Sequence, residues 1–291
     1  MRRVSVILPA YNEAGAVGAT VAEIRAVLAS LPELETEILV VDDGSRDPTA
    51  DEARAAGATV ISHPHNVGYG RSLKDGISAA SHDTIVICDA DGSYPTEEIP
   101  RLLAEYERGF NMVVGARKKA ELRDPFFKVL MRGVLKGLVE FTAGRHIPDV
   151  NSGLRVFAKR EVEPYFRHLS NTFSFTTSLT LAYLMSHKFV SYLPIPYRPR
   201  VGTTKVRLLR DSLRTLQYIS QAILIYNPIK LFLALALGTL LFGLLSTGAA
   251  LLLKAPAAAL LTAVASVLTA VLVVACGFLA DLARMVWRGD P

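Results

Sequence analysis

The chain has 291 residues, of which 51% are hydrophobic, and its formal net charge at pH 7 is +5. This length allows one large domain and an additional segment, while its two cysteines, Cys88 and Cys276, lie in different predicted elements and argue against a disulfide-stabilised scaffold. The six histidines lack the spacing of a zinc site, and the basic residues occur without a nucleic-acid-binding motif, which disfavours both of those classes.

Strand-like and helix-like patterns alternate from residue 4 to residue 115. Strands are predicted at residues 4–8, 37–41, 59–62, 84–88 and 112–114, and helices at residues 14–30, 48–56, 70–80 and 96–107. This alternation predicts an α/β fold with a mostly parallel sheet covered on both faces. The first strand is not followed by G-x-G-x-x-G, and no G-x-x-x-x-G-K-[ST] occurs, which argues against the common dinucleotide and P-loop sites.

Two pairs of acidic residues follow predicted strands. Asp42 and Asp43 end the second strand, and Asp89 and Asp91 follow the fourth in the sequence IVICDADGSYP. Ligands gather at the carboxyl ends of strands in open α/β sheets, and two carboxylates one residue apart are suited to Mg²⁺ or Mn²⁺ on a diphosphate. One carboxylate of the first pair is expected to face a base N–H or a ribose hydroxyl. For both pairs, simple turn chemistry is the alternative.

A glycine-containing loop precedes the third predicted helix in the sequence HPHNVGYGRSLKDG. Gly68 and Gly70 keep this loop open, and the helix carries Lys74. A loop followed by a helix N-terminus can lie close to phosphate. A plain turn explains the pattern nearly as well.

Two later segments combine a basic stripe with an apolar surface. In residues 126–142 the stripe consists of Lys128, Arg132 and Lys136, and residues 206–226 repeat the arrangement with Arg207, Arg210 and Arg214. This pattern is typical of helices that lie in a membrane interface. An ordinary amphipathic core helix is the alternative for each segment.

Two uncharged segments, residues 231–253 and 255–280, meet at Lys254. Each exceeds the roughly 20 apolar residues that cross a bilayer, so the sequence predicts a transmembrane hairpin over residues 229–281; two buried core helices are the alternative. Basic residues flank both open ends, at Lys205, Arg207, Arg210, Arg214, Lys230, Arg284 and Arg288. The positive-inside rule therefore places both ends in the cytoplasm.

The expected organisation is a cytosolic domain at residues 1–226, the hairpin, and a cytosolic tail at residues 282–291. The N-terminal sequence MRRVSVILPAYNEAG has too short an apolar run for a signal peptide. We therefore expect a multi-pass cell-membrane protein with its large domain on the cytoplasmic face. Membrane lipids are expected partners, and a homo-oligomer remains open because a two-helix hairpin often needs partners to bury its faces.

Seven motifs, taken together, resemble a known family. PAYNE, VVDDGS, NVGYG and DADGSYP occur in the order and spacing of the nucleotide-sugar-binding half of family 2 glycosyltransferases, which have the GT-A fold. VVGAR, DVNSGLRVF and PRVGTTK resemble the polyprenyl-phosphate subgroup, which includes dolichol-phosphate mannose synthase and bacterial polyprenyl-phosphate glucosyltransferases. The resemblance covers about residues 3–226.

The resemblance implies a set of site residues. Asp89 and Asp91 would hold Mg²⁺ or Mn²⁺, and Asp149 and Arg155, near Ser152, would border the acceptor phosphate. Binding of the donor would involve Pro9, Tyr11, Glu13, Asp42, Asp43, Ala90, Arg117, Arg200 and Lys205. Ser93 departs from the pattern, since dolichol-type members often carry Gln there, and this leaves the third protein contact of the metal and the donor choice open.

The implied reaction is inverting transfer of a hexosyl group from GDP-mannose or UDP-glucose to polyprenyl or dolichyl phosphate. A metal with Arg117 or Lys205 would stabilise the leaving diphosphate. A phosphate monoester has a second pKa near 6 and is largely an oxyanion at neutral pH. We therefore expect no strong base, and expect Asp149 to orient Arg155 or the acceptor.

Two other functions fit parts of the sequence. A processive polysaccharide synthase shares the donor half, but its Q-x-x-R-W motif is absent, since the only tryptophan is Trp287, and two membrane helices are few for a polymer channel. A non-catalytic membrane-anchored scaffold for nucleotide sugar or lipid is the second alternative. The intact acidic residues Asp89 and Asp91, with Arg117, argue against it.

Overall fold

The computed structural model describes residues 2–31, 34–118, 126–199 and 208–288. It divides into two compact units, Met1–Tyr218 and Ile219–Pro291. The predicted phosphate-facing residues Arg200 and Lys205 lie outside the described residues, as does Arg207.

The first unit is built on one seven-stranded sheet. Its strands are β1 Arg2–Ala10, β2 Leu34–Asp42, β3 Thr59–Ser62, β4 Thr84–Ile87, β5 Met112–Arg117, β6 Arg155–Ala158 and β7 Val190–Ile195. Their order across the sheet is β3-β2-β1-β4-β6-β5-β7. Among the strands in the described residues, only β6 runs antiparallel to its neighbours, β4 and β5. The sheet is therefore mostly parallel, as the sequence predicts.

Helices connect these strands along the chain or follow the last of them. They are α1 Val17–Ala29, α2 Thr49–Ala55, α3 Tyr69–Ala79, α4 Ile99–Tyr106, α5 Phe126–Ala143, α6 Lys159–Val162, α7 Phe175–Met185 and α8 Leu208–Tyr226, with 3-10 turns at Thr96–Glu98 and Glu163–Tyr165. The predicted α/β class is confirmed, and all five predicted strands and four predicted helices of the first 115 residues are present. The strands β6 and β7 and the helix α7 were not predicted.

Apolar residues of the central strands form the core beneath α1 and α3. Ile7 of β1 is fully buried, as is Val41 of β2. Gly76 lets α3 lie close to these two residues, because a Cβ at this position would come within 3 Å of both side chains. The period-3.6 face of α3 thus meets two strands that are buried on both sides.

The strand β1 lies between β2 on one side and β4 on the other. In the register, Ala10 pairs with Asp42, and Ile7 pairs with Ile87. Residues after the ends of β1, β2 and β4 therefore meet at one edge of the sheet, where the strand order reverses. This is the usual position of a ligand crevice in open α/β sheets.

The basic stripes fall on α5 and α8. Lys136 of α5 pairs with Glu140 at 3.6 Å. The side chains of Lys128, Arg132, Arg210 and Arg214 lie outside what the structure describes. The interfacial role of both helices stays a prediction.

The second unit contains α9 Pro228–Leu252 and α10 Pro256–Arg288. Small residues bring the two helices together: a Cβ on Gly243 would collide with Ser266, and the hydroxyls of Thr247 and Thr262 lie 3.1 Å apart. Most leucines point outward and are exposed. Both helices are long and apolar enough to cross a membrane. The fold therefore includes the candidate transmembrane hairpin that the sequence predicts.

Candidate active site

The turn after β4 carries Asp89 and Asp91. Asp91 is buried, and its Oδ1 accepts hydrogen bonds from the amide of Ser93 at 3.0 Å and from its hydroxyl at 2.5 Å. Asp89 is partly exposed, and its Oδ1 accepts a hydrogen bond from the Tyr69 hydroxyl at 2.8 Å. Gly92 closes the turn with a φ of 72°, which favours glycine. The residue types and the turn fix both carboxylates at the edge of the sheet.

The carboxylate oxygens of this turn are suitable ligands for a divalent cation that also binds a diphosphate. Among the described residues, no group of three or more His, Cys, Asp or Glu side chains is arranged to hold a metal ion. Mg²⁺ is usually held by one or two carboxylates together with water and substrate phosphates. Asp89 and Asp91 supply that number of carboxylates, so a cation here would complete its shell with the ligand.

Backbone amides and polar side chains join the loops after β1 and β2. The amides of Asn12 and Glu13 donate to Ser45 Oγ and Thr49 Oγ1, each at 2.8 Å. The Asn12 side chain accepts in return from the amide of Arg46 at 2.8 Å. The predicted donor-binding residues Tyr11 and Glu13 therefore belong to a loop that is firmly held beside the end of β2, and Pro9 lies in β1 just before this loop.

The two acids at the end of β2 have different environments. Asp43 is 3% exposed, and its carboxylate accepts hydrogen bonds from the amides of Val67 at 2.9 Å and Gly68 at 2.8 Å, and lies 2.9 Å from His63 Nδ1. Asp43 thus holds the glycine-containing loop. Within the described residues, the Asp42 carboxylate accepts one hydrogen bond, from the amide of Ser45 at 3.1 Å. Asp42 keeps more acceptor capacity for a ligand.

Arg117, at the end of β5, forms a bidentate ion pair with Asp149. Its Nε lies 2.7 Å from Asp149 Oδ2, and its Nη2 lies 3.0 Å from Oδ1. Burial alone raises the pKa of Asp149, but the hydrogen bonds and charge of Arg117 and the amide of Asn151 outweigh it, so the pKa lies below its usual value. The guanidinium also lies over the ring of Tyr197, 5.3 Å from its centroid. Asp149 therefore stays ionised and fixes Arg117.

Arg155 is fully buried. Its guanidinium donates to the carbonyls of Ser152 and Val150 and to Thr180 Oγ1, each at 2.8 Å. Burial lowers its pKa, although the nearby Tyr192 and Asp149 oppose that change. These contacts hold the turn that follows Asp149. Asp149 itself pairs with Arg117, so an influence of Arg155 on chemistry would pass through the turn.

The glycine-containing loop packs against the segment Leu169–Phe173. A Cβ on Gly68 would lie 2.5 Å from the carbonyl oxygen of Asn171. Lys74 Nζ donates to the carbonyl of Leu169 and to Asn171 Oδ1, both at 2.6 Å. Burial lowers the pKa of Lys74 to about 8. The glycines thus allow close packing of two backbones, and Lys74 binds the chain itself.

Three residues of the site were not singled out from the sequence. The hydroxyl of Tyr69 binds Asp89, and that of Tyr94 accepts a hydrogen bond from the amide of Gly153 at 2.6 Å. Gly153 lies against Asp89, because a Cβ there would come within 2.7 Å of its carboxylate. Burial, followed by the charge of Asp89, raises the pKa of Tyr69. All three lie in motifs quoted above, but a motif does not show which atoms meet.

A mostly parallel sheet with acidic turns after β2 and β4 defines a GT-A-like fold. Glucosyl-3-phosphoglycerate synthase from Mycobacterium tuberculosis, in complex with Mn²⁺, UDP-glucose and phosphoglyceric acid, is similar with a TM-score of 0.62 and 20% identity, over 76% of this chain and 79% of that one. Mannosyl-3-phosphoglycerate synthase from Rubrobacter xylanophilus has a TM-score of 0.59 and 21% identity, over 76% and 72%. The similarity extends to the fold.

Residues 5–172 match the family model described as glycosyl transferase family 2, and the chain belongs to this family. Similar curated proteins are undecaprenyl-phosphate 4-deoxy-4-formamido-L-arabinose transferases, from Klebsiella pneumoniae subsp. pneumoniae at 31% identity and Salmonella enteritidis PT4 at 32%. Each match covers 180 residues, 60% of this chain and 54% of the relative. The chain thus spans about half the length of these relatives. The predicted resemblance to the polyprenyl-phosphate subgroup is confirmed.

Proposed function

We propose that the chain is a membrane-bound inverting glycosyltransferase that moves a sugar from a nucleotide sugar to a polyprenyl phosphate. The observation that carries this proposal is the acidic turn of Asp89 and Asp91 at the crevice of a family 2 glycosyltransferase fold, in a chain that also has two apolar helices. The names of the curated relatives support the acceptor class.

The donor binds at the joined loops after β1 and β2. Pro9, Tyr11 and Glu13 frame the base and ribose, and Asp42 accepts hydrogen bonds from them, while Asp43 supports the neighbouring loop. Asp89 and Asp91 would hold Mg²⁺ or Mn²⁺ beside the diphosphate, and Ala90 lies between them in the same turn. The bound cation supplies Lewis-acid stabilisation of the leaving nucleoside diphosphate. The metal-containing complex of a structural neighbour supports this class of cofactor.

Arg117 contributes positive charge at the reacting phosphates. Its pairing with Asp149 uses Nε and Nη2 and leaves Nη1, within the described residues, available to a phosphate oxygen. The ion pair fixes the guanidinium before the ligand arrives, which lowers the entropy lost on binding. Arg200 and Lys205 would add charge on the acceptor side.

The acceptor phosphate attacks without a strong general base. A phosphate monoester is mostly an oxyanion at neutral pH because its second pKa is near 6. Asp149 is a weak base, because its pKa is lowered and both of its oxygens face Arg117. One phosphate oxygen forms a bond to the anomeric carbon as the bond to the nucleoside diphosphate breaks. Direct displacement inverts the anomeric centre.

The apolar helices place the acceptor chemistry at a membrane. α9 and α10 cross the bilayer as a hairpin, and both of its open ends lie on the cytoplasmic face with the glycosyltransferase unit. The basic stripes of α5 and α8 lie in the interface with anionic lipid, where each basic side chain adds about 1 kcal/mol. A polyprenyl tail would stay in the bilayer while its phosphate remains accessible.

A labelled-sugar transfer assay tests the proposal. The purified full chain would be incubated with Mg²⁺ or Mn²⁺, undecaprenyl phosphate and one labelled donor: GDP-mannose, UDP-glucose, or a nucleotide-linked 4-deoxy-4-formamido-L-arabinose. We expect label in the organic phase from one donor, and its loss with Asp91→Asn. If no donor from a wider panel gave a lipid-linked product while nucleotide still bound, the scaffold function would replace this proposal.

A further inference from the structure

Each acid of the turn after β4 has a hydroxyl partner of its own. Ser93 Oγ donates to Asp91 Oδ1 at 2.5 Å, and both residues belong to the same turn. Asp89 Oδ1 instead receives its hydrogen bond from Tyr69, which belongs to α3, at 2.8 Å. The orientation of Asp89 therefore depends on an element twenty residues away in sequence.

Tyr69 has a firm support of its own. Its ring stacks on Phe173, with centroids 5.5 Å apart and an interplanar angle of 22°. Phe173 follows Asn171, whose side chain accepts from Lys74 Nζ at 2.6 Å and whose carbonyl accepts from the amide of Arg71 at 3.1 Å. The segment that carries Phe173 is thus tied to the same helix that carries Tyr69. The ring of Tyr69 is therefore supported by a segment that is itself bound to α3.

The backbone of Gly153 also lies close to Asp89. Gly153 approaches the carboxylate so closely that a Cβ would lie 2.6 Å from Oδ1 and 2.7 Å from Oδ2. With the Gly153 backbone beside it and a donor on Oδ1, the carboxylate has little freedom to rotate. A neutral hydroxyl also orients the group without neutralising its charge, whereas a lysine or arginine partner would compete with a cation.

We propose that Tyr69, supported by Phe173, is a positioning residue that sets the orientation of Asp89 toward a divalent cation and the donor diphosphate. The inference rests on the proposed function, because it assigns to Asp89 the task given above. Tyr69 does not exchange a proton with substrate. It acts through the carboxylate that it holds.

The test compares Tyr69→Phe with the full wild-type chain in detergent. Phenylalanine keeps the ring that stacks on Phe173 and removes only the hydroxyl. Mn²⁺ binding in the presence of UDP or GDP would be measured by electron paramagnetic resonance of the free ion. We expect the dissociation constant for Mn²⁺ to rise about tenfold, the effect of losing one hydrogen bond to a charged group. Nucleotide binding with the metal chelated should stay within about twofold.

Tyr183→Phe is the matched control. Tyr183 is a fully buried tyrosine, and its hydroxyl has no hydrogen-bond partner in the part of the chain that the structure describes. This variant should bind Mn²⁺ as wild type does. A second variant, Phe173→Leu, loosens the support of Tyr69 and should weaken Mn²⁺ binding in the same direction by a smaller factor.

The outcomes separate this inference from the proposed function. Wild-type Mn²⁺ binding by Tyr69→Phe would overturn the positioning role, even if the wild-type chain transfers sugar. Equal losses of nucleotide binding with and without metal would also overturn it, because they would indicate a general structural defect. If Tyr69→Phe weakens Mn²⁺ binding but the wild-type chain transfers no sugar, the positioning role stands and the proposed reaction falls.

Discussion

Asp149 and Arg117 form a charged pair, with 2.7 Å between Oδ2 and Nε. Their pairing decides between two roles for Asp149, a general base and a support for Arg117. Loss of a general base typically costs 10²–10⁴-fold in rate. Loss of an orienting partner costs less when the replacement has the same shape and keeps one oxygen acceptor.

We therefore expect Asp149→Asn to lower kcat by roughly tenfold or less, because its amide oxygen still accepts from Arg117. Asp91→Asn should lower kcat by about 10²–10³-fold, the range for removing one preorganised charge-stabilising group. Steady-state sugar transfer under saturating acceptor measures both. Equal collapse of the two variants would contradict the support role and restore a general base.

The Asp149 pair should also make stability depend on pH. The pKa of Asp149 is lower in the folded chain than its usual 3.8, because the contacts with Arg117 outweigh burial. Its contribution to stability is present above pH 3.8 and is lost as pH falls through the folded pKa. The difference in unfolding midpoint between wild type and Asp149→Asn should shrink from pH 7 to pH 3. A difference that stayed the same from pH 7 to pH 3 would mean that charge does not stabilise this pair.

Gly153 is a second position where one atom matters. An added Cβ would meet the Asp89 carboxylate, so Gly153→Ala should displace it and lower kcat/KM by roughly 10², the usual cost of a 1 Å misplacement. Gly18→Ala is the matched control, since a Cβ there would make ordinary contacts at 3.6 Å. Gly18→Ala should unfold near the wild-type temperature, and Gly153→Ala should keep a cooperative unfolding transition. Full activity of Gly153→Ala would show that Asp89 tolerates movement.

The residue positions could be predicted in part. Asp42, Asp89 and Asp91 were placed at strand ends because short apolar runs lead directly into them. The partner of Asp149 could not be predicted, because Arg117 lies 32 residues away and the pairing depends on the fold. The partners of Asp43 could not be predicted either, because its carboxylate accepts hydrogen bonds from the amides of a distant loop whose position the sequence pattern does not show.

At the scale of elements, the first half of the sheet was predictable because its strands and helices differ clearly in the spacing of their apolar residues. The helix α7 has no exposed face between Phe175 and Leu184, because all of these residues are buried, and so it shows no amphipathic period. The strand β6 has four residues, and β7 contains Pro194, which weakens a strand pattern. These elements form through packing against other parts of the fold, which the local sequence pattern does not show.

The contact between α3 and the segment Leu169–Phe173 should respond to pH through Lys74. Burial lowers the pKa of Lys74 from 10.5 to about 8 in the folded chain. Between pH 8 and 10.5 the unfolded chain binds the proton and the folded chain does not, so this group adds stability as pH rises. Relative to Lys74→Met, wild type should therefore gain stability over that range. If the difference in unfolding free energy between wild type and Lys74→Met, measured with denaturant, were constant over this pH range, burial would not lower the pKa of Lys74.

At the scale of the whole molecule, the proposed hairpin predicts where labels can reach. In a chain with Cys88→Ala and Cys276→Ala, a cysteine at Lys254 should react with an impermeant maleimide in intact cells. A cysteine at Ala55, which is exposed on α2, should react only after the membrane is opened. Labelling of both positions in intact cells, or of neither, would contradict a hairpin with its open ends in the cytoplasm.

The unequal lengths of the two hairpin helices have a further consequence. α9 has 25 residues and α10 has 33, so from their common turn α10 is longer by about 12 Å at 1.5 Å per residue. Near its far end, Arg284 donates to the carbonyl of Tyr226 at 3.0 Å and pairs with Asp281 at 2.8 Å. In a bilayer these polar contacts of Arg284 belong at the headgroup level, so a change in hydrophobic thickness would change their distance from the hydrocarbon. A thinner bilayer would tilt the helices. A thicker bilayer would bring the contacts of Arg284 closer to hydrocarbon, where breaking them would leave a charged group without water.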